Sequence, residues 1–317
     1  MFDAPQVRQL LPVEECIDLM RDAFLAVARG ETGQLLRSVL MLPGDDGACF
    51  GTMSGYMSEP NVFGVKVNSV FPANFGTEYP SHQGVMLLFE RQHGELVAML
   101  DAGEITAVRT AAASAAATDA LARGESSHLA VLGYGRQASM HVASMRAVRP
   151  INKLTVWGRS AGRARAFAEE QQRLHAVAVE IAPDVEQAIA HADIVCTTTA
   201  AAKPILKGDW IPAGCHLNVV GSSMARFREI DTRAVVRSRF FVDYRPMCLR
   251  EGGEFLKAVE EAAVTADHIV GEVGEVLAGT CEGRRDAGEI TVFKSLGMPV
   301  EDIAAAHYVL KKALMKD

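Results

Sequence analysis

The sequence predicts an α/β protein with a doubly wound parallel sheet and a second, mostly antiparallel sheet. After Ser126, short apolar runs alternate with helical patterns, which is typical of parallel βαβ units. Between Leu35 and Leu100, β-like runs follow one another with Gly, Pro and Asn turn residues between them, and this favours an antiparallel sheet. At 317 residues, of which 49% are hydrophobic, the chain is long enough for two domains.

The first part of the chain begins with a helix and continues as strands. VEECIDLMRDAFLAVARG carries apolar residues at helical spacing and stops at Gly30, which predicts an amphipathic helix. The strands that follow are predicted in RSVLML, CFGTMSGY, VFGVKVNSVF, GVMLLFE and ELVAML. The alanine-rich segment ITAVRTAAASAAATDALARG predicts one long helix that ends at Gly124 and leads towards the next domain.

The alternating part supplies the parallel sheet. Its strands are predicted in HLAVLG, KLTVWG, VAVEIA, DIVCTTT, HLNVVG and RFFVDY. Helices are predicted between them in QASMHVASMRAV, AGRARAFAEEQQ and VEQAIAHA. The last segment, VEDIAAAHYVLKKALM, returns to a helical pattern that is expected to pack on the first domain.

Composition excludes several classes of protein. A net charge of −7 argues against nucleic-acid binding, which requires clustered Lys and Arg. The six cysteines are scattered without a CxxC pair, so we expect reduced thiols, with no disulfide framework and no metal site. No apolar stretch approaches the roughly 20 residues that span a bilayer, and the first residues lack a signal-peptide pattern. We therefore expect a cytoplasmic protein that binds neither membrane nor nucleic acid.

The segment VLGYGRQASMH predicts a dinucleotide site. Gly133, Gly135 and Ala138 form G-x-G-x-x-A between a predicted strand and a predicted helix. The first glycine permits the tight turn, the second lets the backbone approach a pyrophosphate, and the alanine keeps helix and strand close. Backbone N–H groups at the helix start, around Arg136 and Gln137, are suited to the phosphates.

The next strand, LTVWGRS, bears on which dinucleotide binds. An acidic residue there suits the ribose 2′-hydroxyl of NAD(H), whereas arginine suits a 2′-phosphate. This strand ends in Arg159 and Ser160 without a carboxylate, so NADP(H) is preferred and NAD(H) remains possible. Arg163 and Arg165 follow, and for these two a solvated helix start explains the sequence at least as well.

The strand HLNVVG breaks at Gly221 into Ser222 and Ser223. Ligands of open α/β sheets bind at the carboxyl ends of strands. The break itself offers only hydroxyls, because the next carboxylate along the chain is Glu229. The sequence therefore predicts a site floor without an acid or base.

Several blocks together resemble the ornithine cyclodeaminase and mu-crystallin family. They are PSHQGVMLLFE, AMLDAGEITAVRTAAASAAAT, LGYGRQA, ADIVCTTTAAAKPIL and TVFKSLGMPVED, and the resemblance extends from about Leu10 to Leu314. It implies a Rossmann domain inserted into a discontinuous α+β domain for substrate binding and dimerisation. The corresponding ranges are 125–292 and 1–124 plus 293–317. It also implies a nicotinamide cofactor, a homodimer, and chemistry at the α-carbon of an amino or imino acid.

Two positions separate this chain from family members that resemble true cyclodeaminases. Those members carry a glutamate and an aspartate where this sequence has Met53 and Ser223. Cyclodeamination moves protons repeatedly and benefits from such groups, whereas ketimine reduction needs a hydride, a proton and a clamp on the carboxylate. The resemblance is therefore closer to the mu-crystallin side, whose members are ketimine reductases that bind NADPH.

Three further residues are candidates for substrate binding. Lys66 lies in the apolar run VFGVKVNSVF, where an ammonium is costly without a partner, and the resemblance favours carboxylate binding or proton delivery over a lysine at a sheet edge. Arg109 is the only charged residue between Glu104 and Asp119, which favours an anion clamp on substrate or pyrophosphate. Arg37 matches a third carboxylate contact of the family, although an arginine on a surface strand fits nearly as well.

The remaining candidates are less specific. His82 is either a proton donor or a turn residue. Thr197, Thr198 and Thr199 either line the cofactor or reflect β-propensity. Thr110, in the alanine-rich helix, and Val292, in TVFKSLGMPVED, complete the predicted cofactor contacts.

The predicted partner is a small-molecule imino or amino acid, and three hypotheses for the function follow. The first is NADPH-dependent reduction of a cyclic ketimine acid such as pyrroline- or piperidine-2-carboxylate, with Lys66 and Ser223 at the reacting centre. The second is an NAD-dependent ornithine cyclodeaminase or amino acid dehydrogenase. The third is a non-catalytic, crystallin-like nucleotide-binding protein, which would have no need of a buried lysine.

Overall fold

Two units are formed by the chain in this computed structural model, which describes residues 1–44, 47–74 and 76–315. The first unit comprises Met1–Arg109 and Gly297–Asp317, and the second comprises Thr110–Leu296.

The helices are, in chain order, α1 (Ala4–Leu10), α2 (Val13–Ala28), α3 (Ala102–Leu121), α4 (Arg136–Val148), α5 (Ala161–His175), α6 (Val185–Ile189), α7 (Thr232–Val236), α8 (Arg245–Glu251), α9 (Gly253–Glu260), α10 (Val273–Leu277) and α11 (Pro299–Leu314). The strands are β1 (Thr32–Gln34), β2 (Ser38–Met41), β3 (Cys49–Met57), β4 (Val62–Val70), β5 (His82–Glu90), β6 (Leu96–Asp101), β7 (His128–Leu132), β8 (Lys153–Trp157), β9 (Ala178–Ile181), β10 (Ile194–Thr197), β11 (His216–Val219), β12 (Ser238–Val242), β13 (Ile269–Glu272) and β14 (Ile290–Lys294).

The first unit contains the predicted antiparallel sheet. Its strands run in the order β1-β3-β4-β5-β6, with β2 paired to β3, and every pairing is antiparallel. Residues on β3 and β4 alternate between buried and partly exposed positions, as expected when one face of a sheet is covered. The covering element is α11, which packs on β3, β4 and α2.

Two opposed glycines face α11, and one of them lets the helix come close to this sheet. Gly55 and Gly64 are directly opposed on β3 and β4. A Cβ at Gly55 would lie 3.0 Å from Pro299 Cβ and 3.3 Å from Ile303 Cδ1, and one at Gly64 would lie 3.6 Å from Ile303 Cγ1. A larger residue at position 55 would push the helix away from the sheet, whereas one at position 64 would first meet Leu87 O on β5, at 2.5 Å from its Cβ. The first turn of α11 is thereby held close to the strand that carries Lys66.

The second unit contains the predicted doubly wound sheet. Its eight strands run in the order β13-β12-β14-β11-β10-β7-β8-β9, and all of their pairings are parallel. Starting at β7, the chain adds β8 and β9 to one side of the sheet and then returns to add β10 and β11 to the other side of β7. The strand order therefore reverses between β7 and β10, and ligands of such sheets bind at that point.

Two strands of this sheet were not expected from the sequence. β13 and β14 lie outside the predicted alternation, and β14 is inserted between β11 and β12. All five residues of β14 are buried, including Lys294 at its end. Because a lysine usually marks exposed chain, this run did not stand out as a central strand.

Candidate active site

Lys66 lies on the covered face of β4 and is only 4% exposed. Its neighbours across the sheet are Met53 on β3 and Met86 on β5. The ammonium is 2.7 Å from Oδ2 of Asp302, in the first turn of α11, and donates to Thr106 Oγ1 at 3.3 Å. The partner that a buried ammonium requires is therefore Asp302, which was not among the residues predicted from the sequence.

Arg109 is part of the same cluster. Its Nε donates to Asp302 Oδ1 at 2.9 Å and its Nη1 donates to Glu301 Oε2 at 2.7 Å, and both carboxylates are fully buried. Gly297 passes so close that a Cβ there would lie 2.7 Å from Nη1. Arg109 thus anchors the start of α11, and its contact with a ligand anion stays a prediction.

The cluster changes how Lys66 titrates. Burial is the largest cause that lowers the pKa of Lys66 to about 8, and the charge of Asp302 opposes that fall. Burial would raise the pKa of Asp302, but Arg109 and Lys66 outweigh it and the pKa is lowered. Asp302 is therefore ionised near neutral pH, while Lys66 can hold or release a proton there.

The other two predicted substrate contacts lie in the same unit. Arg37 sits between β1 and β2, and its positive charge is one of the influences that lower the pKa of Lys66. His82 begins β5, with Nδ1 3.0 Å from Ser81 Oγ. Desolvation and then the charge of Lys66 lower the pKa of His82. These electrostatic influences place Arg37 and His82 within range of Lys66, although their binding roles remain predictions.

The dinucleotide motif has the expected strand–turn–helix geometry. Gly133 follows β7 with φ +130°, and a Cβ there would lie 2.7 Å from Thr198 Oγ1. Gly135 is the N-cap of α4, without a side-chain cap, and a Cβ there would meet nothing within 4 Å. Ala138 is fully buried. The uncapped backbone N–H groups and the open space beside them fit a pyrophosphate.

Buried Glu229 corrects the prediction that the break after β11 offers only hydroxyls. One of its oxygens accepts from Thr197 Oγ1 at 2.6 Å and from Gly221 N at 2.7 Å. The other accepts from Thr199 N and Thr199 Oγ1, both at 2.7 Å. Burial raises the pKa of Glu229, and the bonds from Thr197 and Thr199 oppose that rise. This carboxylate joins the carboxyl ends of β10 and β11.

Lys294 also contacts the backbone of the break after β11. Its ammonium donates to the carbonyl of Ser222 at 2.5 Å and lies 3.0 Å from Glu254 Oε2. Both members of this ion pair are fully buried. Glu254 Oε1 also accepts from Glu229 N at 3.1 Å. The backbone of Gly221 and Ser222 is thus fixed between a buried carboxylate and a buried ammonium.

The hydroxyls at this edge of the sheet have different environments. Ser222 Oγ donates to Phe227 O at 2.7 Å, and Thr198 Oγ1 donates to Leu132 O at 3.1 Å. Ser223 is half-buried and forms no hydrogen bond within the part of the chain that the structure describes. The hydroxyl of Thr197 is directed to Glu229, so any cofactor contact of Thr197 involves other atoms.

The remaining predicted cofactor residues also lie in the second unit. Arg159 is exposed after β8, and Ser160 is the N-cap of α5. Arg136 and Gln137 begin α4. Thr110 lies in α3 and is 7% exposed, whereas Val292 in β14 is fully buried. Arg136, Gln137, Arg159 and Ser160 follow the carboxyl ends of β7 and β8, where the cofactor is predicted to bind. Val292 has no exposed surface with which to contact a cofactor.

Within the described residues, the structure contains no helix long and apolar enough to cross a membrane. The same residues contain no cluster of three or more His, Cys, Asp or Glu side chains suited to a metal ion.

Comparisons with known proteins identify relatives over the whole chain. A Delta(1)-pyrroline-2-carboxylate reductase of Colwellia psychrerythraea is 35% identical over 314 residues, which is 98% of each chain. The ketimine reductase mu-crystallin of Mus musculus is 35% identical over 82% of this chain and 79% of its own.

A solved structure shares the complete fold. Thermococcus litoralis Delta(1)-pyrroline-2-carboxylate reductase, in complex with NADH and L-proline, superposes with a TM-score of 0.96 at 31% identity. The match covers 99% of this chain and 97% of that chain. The model of the ornithine cyclodeaminase/mu-crystallin family matches residues 1–317. The chain therefore belongs to the ornithine cyclodeaminase/mu-crystallin family.

Proposed function

We propose that this protein is an NADPH-dependent reductase of cyclic ketimine acids, with pyrroline-2-carboxylate and piperidine-2-carboxylate as representative substrates. The observation that carries the proposal is the buried Lys66–Asp302 pair with an apolar Met53 directly opposite Lys66. Full-length relatives named Delta(1)-pyrroline-2-carboxylate reductase support the imine-reduction part of the proposal, whereas the NADPH preference rests on the residues after β8. The bound cofactor would supply a hydride to the C=N carbon, and the chain must supply the rest.

Lys66 has the properties that the substrate requires. A ketimine acid is an anion at its carboxylate and accepts a hydride best when its nitrogen is protonated. With a pKa of about 8, Lys66 is mostly an ammonium at neutral pH. It can bind the carboxylate by a charge-assisted hydrogen bond and keep the imine nitrogen protonated as general acid. Asp302 holds the ammonium in position.

The absence of a carboxylate at position 53 favours ketimine reduction over cyclodeamination. A glutamate opposite Lys66 would add a third acidic group to a cluster that already contains Glu301 and Asp302. Such a group helps to activate an amine for oxidation and ring closure. Met53 is 5% exposed and apolar, so this face of β3 offers no base. Reduction is therefore better supported than cyclodeamination.

NADPH is the proposed cofactor because Arg159 follows β8 where a carboxylate would serve NADH. Within the described ranges, Arg159 makes no ion pair or hydrogen bond with the protein. A charge-assisted contact with a 2′-phosphate is worth about 1.5–3 kcal/mol. The corresponding preference for NADPH over NADH is roughly tenfold or more.

A two-reaction assay tests the proposed function. Purified protein is expected to oxidise NADPH with both cyclic ketimine acids and to release no ammonia from ornithine with NAD⁺ or NADP⁺. Ammonia release at a rate comparable to ketimine reduction would overturn the assignment. Absence of both activities, in protein shown to bind NADPH, would favour a non-catalytic role.

Introducing one of the two missing carboxylates gives a second prediction. Ser223→Asp is expected to lower kcat/KM for ketimine reduction about tenfold or more, because a negative charge is placed at the proposed reaction floor, where the substrate is anionic. It should not create ammonia release, since Met53 is unchanged. The matched control is Ser223→Asn, which has similar size without charge. Equal losses in both variants would mean that size, and not charge, matters at this position.

A further inference from the structure

The middle residue of the motif Gly133–Gly135 is Tyr134, and its ring has an unusual position. Tyr134 and Gly158 follow the paired ends of β7 and β8, where Leu132 is opposite Trp157. A Cβ at Gly158 would lie 2.2 Å from Tyr134 Cδ1 and 2.3 Å from Cε1. The ring therefore lies against the backbone of Gly158, and no other residue at 158 leaves it room.

Arg163 stacks on this ring. Its Cζ lies 4.9 Å from the centroid of Tyr134, and its backbone N–H donates to the N-cap hydroxyl of Ser160 at 3.4 Å. Arg163 is exposed, and an exposed arginine normally samples many rotamers. Stacking on an aromatic face restricts that freedom, and a guanidinium that stacks in this way can still donate hydrogen bonds from its edge.

Arg159 and Arg163 thus place two exposed guanidinium groups on the segment that follows β8. In the part of the chain that the structure describes, neither Arg159 nor Arg163 is paired with a carboxylate. Arg159 and Arg163 are four residues apart in the chain, and two exposed cations without a carboxylate partner favour an anion that neutralises both. A phosphate dianion has the charge and the acceptors to bind both. A ribose hydroxyl offers no compensating charge.

We infer that Tyr134 and Arg163 form a specificity-determining pair for the phosphate that distinguishes NADPH from NADH. Tyr134 positions the guanidinium of Arg163, and Arg163 binds the 2′-phosphate together with Arg159. The inference deepens the proposed cofactor preference and rests on it. Arg165, two residues further along α5, is exposed and has no ring contact, so it provides the matched control for a solvated helix surface.

The test is fluorescence titration of NADPH and NADH against the wild type and four variants: Arg163→Gln, Arg165→Gln, Tyr134→Leu, and the double variant Arg163→Gln/Tyr134→Leu. Arg163→Gln is expected to raise the Kd of NADPH about tenfold or more and to leave that of NADH within about twofold. Arg165→Gln should leave both values within about twofold, because a distant exposed charge is screened.

Tyr134→Leu should weaken NADPH binding less than Arg163→Gln does. The double variant should be no weaker than Arg163→Gln alone, because Tyr134 acts through Arg163. Equal losses for NADPH and NADH in Arg163→Gln, or equal effects of the two arginine substitutions, would overturn the inference. Additive effects of Tyr134→Leu and Arg163→Gln would also overturn it.

The inference and the proposed reaction can fail separately. If the wild type binds NADH and NADPH equally, the pair has no selective role, even when ketimine reduction is observed with either cofactor. If Arg163→Gln loses NADPH selectively while the wild type reduces no ketimine, the phosphate site is established and the proposed reaction is wrong.

Discussion

Lys66→Met is expected to lower kcat/KM for ketimine reduction about a thousandfold, within the range contributed by a general acid. Loss of the carboxylate contact adds to the loss of the proton donor. The methionine keeps most of the aliphatic stem on the covered face of β4. Stability is expected to fall by roughly 3–5 kcal/mol, the cost of removing one partner of a buried ion pair, because Arg109 is then shared between two buried carboxylates, Glu301 and Asp302.

The measurements are steady-state kinetics and thermal unfolding followed by circular dichroism. Normal activity in folded Lys66→Met protein would remove Lys66 from the reaction. If the protein is unfolded instead, Asp302→Asn provides an independent test through the pH profile. Asp302 raises the pKa of Lys66, so its removal should lower that pKa below about 8.

The direction of the pH effect follows from the role of the ammonium. Activity that depends on protonated Lys66 falls as pH rises through the Lys66 pKa. In Asp302→Asn the alkaline limb of kcat/KM is therefore expected at lower pH than in the wild type. An alkaline limb at the same pH in both proteins would show that Lys66 is not the titrating group.

Glu229→Gln is expected to lower both stability and cofactor affinity. The carboxylate accepts four hydrogen bonds from Thr197, Thr199 and Gly221, whereas a carboxamide has one oxygen and presents donors in place of the other. At least one backbone N–H, that of Thr199 or that of Gly221, loses its acceptor, at a cost of about 1–3 kcal/mol, while a threonine hydroxyl can turn to accept from the carboxamide. The carboxyl ends of β10 and β11 should then separate, which weakens the predicted cofactor floor.

The matched control is Glu170→Gln, on the exposed surface of α5. It should change stability by no more than about 0.5 kcal/mol and leave the Kd of NADPH unchanged. Urea denaturation and NADPH titration of both variants check the prediction. Glu229→Gln with the stability and NADPH affinity of Glu170→Gln would mean that the network does not position the floor.

The sequence identified those site residues that are charged within an otherwise apolar or alanine-rich segment. Lys66 was found because a charge interrupts an apolar strand, and Arg109 because it is isolated among alanines. Their partners were missed, since Glu301 and Asp302 occur in the first turn of α11, where acidic residues are ordinary. The contact of Lys66 with Asp302 depends on the tertiary fold and has no local sequence signal.

The strands and the buried carboxylate that were not predicted have the same cause. β7 to β12 were predicted because each is a short apolar run bounded by turn residues. β14 ends in Lys294, whose partner Glu254 lies far away in the sequence. Glu229 is separated from Thr197 by 32 residues. In the sequence alone, a buried charge cannot be distinguished from a surface charge, because its partner is brought near only by the fold.

The most direct measurement is transfer of deuterium from NADPH that carries two deuterium atoms at C4. The proposal predicts that pyrroline-2-carboxylate becomes proline with a single deuterium at Cα, with equimolar NADPH oxidised and no ammonia released. Mass spectrometry and NMR of the product identify the labelled carbon. Proline formed without deuterium at Cα, or NADPH oxidised without conversion of the imine, would contradict the assignment of this protein as a ketimine reductase.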